Sequence, residues 1–142
     1  MLGIARIATT MIIILGFSLT PLRCSSPNFS DLQTAKDANE TTLLPIDATD
    51  TFSSTHGAIY VTGRLNDAIE PVDVTIKWYF MGEQALDGEK VMIYEYTLST
   101  TSGRFKFWHT ENGLNGWKIG HYEARLFLED KHKETLSFNI VE

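Results

Sequence analysis

His109, Glu111 and His121 flank one Gly-rich stretch of this chain, and two imidazoles plus a carboxylate form a ligand set that zinc accepts. Their spacing matches no local zinc signature. His121 also precedes Tyr122 in an alternating run, so the two side chains point to opposite faces and the histidine is expected at the surface. His56 and His132 are the other two histidines, and His132 lies between Lys131 and Lys133 in a polar turn, where it is expected to be solvated. The reading is of exposed polar positions with no metal.

Other chemistry fares no better. Serine, histidine and aspartate are all present, but no Gly-x-Ser-x-Gly elbow presents a nucleophile. Cys24 is the single cysteine, so no intrachain disulfide can form, and it has no positioned catalytic partner in the polar stretch that follows. The carboxylates fall in turns or on the outward phase of strands, where water keeps them ordinary. A glycosidase pair needs two carboxylates across a cleft, for which so small a domain has little room. Gly113, Gly116 and Gly120 are followed by no helix that could cradle a phosphate. The chain is therefore expected to be no enzyme and to need no cofactor.

Charge removes another class. The net charge is -6, and residues 57–142 hold nine Lys/Arg against thirteen Asp/Glu by count of the sequence. No segment is a basic patch, so nucleic acid is excluded as a partner.

What remains is a set of aromatics. Tyr60, Tyr79, Trp108 and Phe127 fall on the polar phase of alternating runs. Large rigid rings on the solvent side of neighbouring strands make a candidate binding face. Scattered surface aromatics are the plainer alternative.

The elements that position these residues count in twos. Residues 58–65, 72–80, 104–108, 122–128 and 136–140 alternate apolar with polar side chains, the period of a half-buried strand, and 90–98 is a further β run rich in Tyr and β-branched residues. The clearest run sets Val72, Val74, Ile76, Trp78 and Phe80 on one face. No stretch shows a helical period. Short strands with one apolar face each must pack as two sheets. The expectation is an all-β fold, an antiparallel immunoglobulin-like β-sandwich of about seven strands over residues 57–142. Residues 25–56 show little periodicity and many Ser, Thr, Asp and Asn, so they are expected to be a flexible polar tether.

The N-terminus reads as an export signal over residues 1–24. Arg6 precedes the uncharged run Ile7–Leu19, long enough for a signal peptide and short for a membrane span. Cys24, followed by Ser25-Ser26-Pro27-Asn28, resembles the lipid-attachment site of bacterial lipoproteins, although Arg23 and Pro21 depart from that motif. Cleavage after Ser26, or a retained single-pass anchor, are the alternatives.

The pattern Gly116-Trp117-x-x-Gly120-x-Tyr122, with the Leu126-x-Leu128 strand end and the closing Phe138-x-Ile140 strand, resembles a small immunoglobulin-like domain of bacterial exported proteins and lipoproteins. Lys118 stands where that family usually has Pro, and Asp130-Lys131 replaces its Gly turn. The resemblance implies structural roles for Trp78, Trp117, Gly120 and Tyr122, the last as a tyrosine corner. It implies a cell-envelope location and carries over no catalytic residue. The functional expectation is a non-catalytic binding module, membrane-anchored through a lipid on Cys24, with an envelope protein or a neutral glycan as partner. A purely structural envelope domain is the alternative.

Overall fold

The computed structural model describes residues 25–84, 90–111 and 116–142. The leader with Cys24, the stretch 85–89 and the corner residues 112–115, Gly113 among them, lie outside the described residues. Among the described residues there are nine strands: β1 Asn28–Ala38, β2 Pro45–Ala48, β3 Thr51–Ser53, β4 Ile59–Asn66, β5 Val72–Gly82, β6 Val91–Thr100, β7 Gly103–His109, β8 Gly120–Leu128 and β9 Lys131–Val141. They form a four-stranded sheet, β2-β1-β4-β7, and a five-stranded sheet, β3-β9-β8-β5-β6. All pairings are antiparallel except β3 with β9.

The alternating runs become the core walls. Ile59, Val61, Leu65, Phe105 and Phe107 face inward from the first sheet. Val74, Ile76, Trp78, Tyr122, Ala124, Leu126, Phe138 and Ile140 face inward from the second. Trp78 is fully buried and meets Phe138 edge-on at 5.9 Å. Area removed from water here, at about 25 cal/mol per Å², is what holds two otherwise separate sheets together.

The expected tether over 25–56 is corrected by the structure. Those residues supply β1, β2 and β3, so the sandwich includes the chain from Asn28 onward. β1 lies between β2 and β4; without it the first sheet would be two strands wide. Its alternation is broken by a bulge between Ser30 and Gln33, where Asp31 adopts a left-handed φ of 52°. One extra residue on a bulged strand shifts the phase of everything after it. Phe29 and Leu32 therefore both pack against the core, followed by small Ala35 and Ala38. The chain then crosses between sheets. Thr34 Oγ1 donates to Thr49 O at 2.5 Å while Thr49 N donates to Thr34 O at 3.0 Å. Phe52 on β3 is buried edge-on against Phe138.

The last hairpin also turns earlier than expected. Glu129 and Asp130 form a two-residue loop with φ of 46° and 67°, the signs a type I′ turn demands. His132 consequently lies in β9, opposite Phe127.

Candidate functional site

The two sheets differ in width, and that difference creates the site. Tyr94, Tyr96 and Leu98 of β6 pair with Trp78, Ile76 and Val74 of β5, so they share the inner face of the wider sheet. The narrower sheet ends at β7. The inner side chains of β6 therefore overhang the sandwich edge, half-covered by Phe107 and His109. Tyr96 meets Phe107 at 6.0 Å, edge-on, and Tyr94 stacks on His109 at 4.7 Å. Between them a groove of about 340 Å³ opens, lined by Ile76, Tyr94, Tyr96, Leu98, Phe107 and Trp108, with Lys106 as its one charged wall residue. That volume falls at the lower end of the small-ligand range. A shallower hollow continues past Tyr94 and Trp108 to His109 and Thr110.

Exposure concentrates here. Among the described residues ten large apolar side chains are exposed, and five of them (Val91, Met92, Tyr94, Tyr96 and Trp108) lie on these two edge strands. Trp108 is 55% exposed. Its ring stacks on Tyr60 across the β4–β7 pair at 6.2 Å. Lys106 Nζ sits 5.4 Å from the indole centroid and is itself held by Glu40 at 2.7 Å. A rigid ring fixed from one side and open on the other is a ready contact surface.

The four aromatics read from the sequence do not share one face, and this is a correction. Tyr60 and Trp108 lie outward on the four-stranded sheet, whereas Tyr79 and Phe127 lie outward on the five-stranded sheet, on the far side of the molecule. Alternation gives the phase of a side chain but not the sheet its strand joins. Tyr79 is covered by Lys90 Nζ at 4.2 Å and by the Arg125 guanidinium at 5.1 Å. Phe127 is covered by Lys77 Nζ at 4.6 Å. Only Trp108 joins the groove.

Tyr94 and Tyr96 were missed by sequence reasoning. Their alternation with Glu95 and Thr97 was visible, but it looks the same for a covered strand and for one overhanging an edge.

The histidine constellation is divided. His109 Nε2 lies 2.8 Å from Glu111 Oε1, and its ring is wedged against Tyr94, Trp78 and Trp117. His109 is thus mostly buried, not the exposed position expected. His121 Nδ1 instead bonds Asn139 Oδ1 on β9. Among the described residues no three His, Cys, Asp or Glu side chains are placed to hold a metal ion.

The corner residues brace the core beside His109. Trp117 is buried, donating its indole N–H to Gly57 O at 2.9 Å and its backbone N–H to Ser54 O at 3.0 Å. Tyr122 donates its hydroxyl to Lys118 O at 2.6 Å. Burial pushes its phenol up to about 12, the negative charge of Glu111 adds to that, and the bond to the Lys118 backbone opposes it. Gly120 has φ of 148°, and a Cβ there would stand 2.6 Å from Gly82 O. No other residue fits the crossing.

No family model matches the sequence, and no curated protein sequence does. The fold is similar to that of an immunoglobulin-like protein of Pseudomonas aeruginosa, with a TM-score of 0.57 at 12% identity over 84% of this chain and 99% of that one. Weaker likenesses are a Pseudomonas fluorescens alkylpurine DNA glycosylase (TM-score 0.47, 8% identity, 82% of this chain and 30% of that one) and a Listeria innocua β-glucosidase (0.40, 9%, 81% and 16%). At those scores neither bears on function. The chain is an immunoglobulin-like β-sandwich.

Proposed function

We propose that this protein is an exported, membrane-anchored, non-catalytic binding module of a bacterial cell envelope, and that it binds through the groove between β6 and β7. The observation that carries the reading is the clustering of exposed Tyr94, Tyr96 and Trp108 around one apolar hollow. A monomeric soluble domain seldom leaves such a patch uncovered. Export rests on the leader: Arg6, the run Ile7–Leu19 and Cys24.

The geometry supports anchoring and binding together. β1 starts at Asn28, so only Ser25, Ser26 and Pro27 separate Cys24 from the sandwich. Asn28 lies at the end of the first sheet where β7 begins, through Asn66 of β4. Trp108 is five residues further along β7, about 17 Å at strand rise. A lipid on Cys24 would hold that end at the membrane and set Trp108 about 17 Å along the strand from it.

A crosslinking pull-down from the native envelope, with wild type and Trp108→Ala side by side, tests the reading. Loss of one specific partner in the variant is expected. Identical partner lists would overturn it in favour of a structural envelope domain.

A further inference from the structure

We propose that the free edge of β6 accepts an extended, uncharged or cationic segment of another protein, which pairs with it as a sixth strand of the wider sheet. This deepens the binding reading above and rests on it. Two of the four sheet margins are short, with β2 four residues long and β3 three, and β7 lies beside the rings of β6. β6 is the exception. It runs for ten residues, and its register with β5 is unbroken from Tyr94 to Thr100. Those seven residues present about 23 Å of edge, which no strand pairs among the described residues.

Proteins usually blunt such an edge with lysine, proline, a bulge or brevity. Between Val91 and Thr100 there is no lysine or proline, the bulge at Ile93 lies outside the seven-residue stretch, and the one charge is Glu95, which lies 4.0 Å from Lys77 on β5. An added strand would fill the groove with every second side chain, against Tyr94, Tyr96 and Trp108. The intervening side chains would lie beside Glu95 and Thr97, where a lysine or arginine is favoured. Backbone pairing would give affinity, and the groove would give selectivity.

Charge argues against a second copy as occupant. The chain's twelve Lys/Arg, less Arg6 and Arg23, leave ten from Ser25 onward against all eighteen Asp/Glu. Two such domains repel, whereas a neutral or basic strand does not. A glycan could stack on Trp108 but carries no ladder of alternating donors and acceptors.

The test pans a phage-displayed library of random dodecapeptides on the full chain in detergent, then synthesises the selected peptides. Selected sequences are expected to alternate apolar with polar or basic residues and to slow hydrogen exchange of β6 amides at least tenfold. Two copies of each peptide are then N-methylated on alternate residues. One methylated set should lose at least tenfold in affinity and the other should not, because only one set of N–H groups faces β6. Tyr96→Lys should abolish binding while the domain still melts cooperatively. Absence of any selected peptide, equal effects of both methylated sets, β6 protection by self-association in sedimentation, or binding of maltooligosaccharides in place of peptides would each overturn strand addition. If Trp108→Ala still loses its partner in the pull-down, the binding reading survives and only the strand mode falls.

Discussion

Tyr94 on β6 and His109 on β7 lie ring over ring, 4.7 Å apart and 13° from parallel. They clasp the two sheets at the edge where the sandwich is open. Tyr94→Ala should therefore lower stability by about 1–2 kcal/mol, the worth of an aromatic pair plus partial burial. Trp108→Ala, on the open side of its ring, should change stability by less than about 1 kcal/mol. Urea titrations of both variants check the contrast. Equal losses would mean that Trp108 is packed rather than presented.

A chain beginning at Gly57 should not fold. It lacks β1, β2 and β3, and with them Phe29, Leu32 and the buried Ala35 and Phe52. The first sheet would be reduced to β4 and β7, and two strands alone are marginal in water. A chain beginning at Ser25 should give a β-type circular dichroism spectrum and a cooperative melt. A cooperative melt from the shorter chain would show β1 to be dispensable.

The contrast marks what the sequence did and did not make legible. β4 to β9 were readable because each carries a stretch such as Val74-Thr75-Ile76-Lys77-Trp78 in which apolar and polar residues alternate. β1 was not, because its bulge at Asp31 moves Leu32 out of phase with Phe29, and its later inward positions are Ala and Thr. The roles of Tyr60 and Tyr79 were inseparable for a different reason. Both stand on the outward phase, and only the pairing of β4 with β7 and of β5 with β8 sends them to opposite sides.

Thr62→Val should stabilise the protein by about 1 kcal/mol. Thr62 is fully buried between Gln33 and Lys106, and its hydroxyl has no hydrogen-bond partner among the described residues. Replacing an unsatisfied buried hydroxyl by a methyl of similar shape removes a desolvation cost. A higher urea midpoint at unchanged m-value confirms it; a lower one means the hydroxyl is satisfied in solution.

Tyr122 should make stability fall in alkali. Its folded phenol is held up to about 12 by burial first and by Glu111 second, against about 10 when unfolded. Between those values the unfolded chain binds fewer protons than the folded one, so stability is lost as pH rises. The loss attributable to this group is about 2–3 kcal/mol by pH 12. Other groups titrate there, so the measurement is the difference between wild type and Tyr122→Phe. That difference should shrink from pH 10 to 12, and a constant difference would contradict it.

The most direct test of the groove as the binding site is photo-crosslinking in the native envelope. A benzophenone amino acid replaces, one at a time, Tyr96, Trp108, Tyr79 and Phe127. Irradiation should yield one discrete adduct from the Tyr96 and Trp108 positions and none from the Tyr79 and Phe127 positions on the opposite face. Adducts from Tyr79 or Phe127 alone, or equally from all four, would contradict the account.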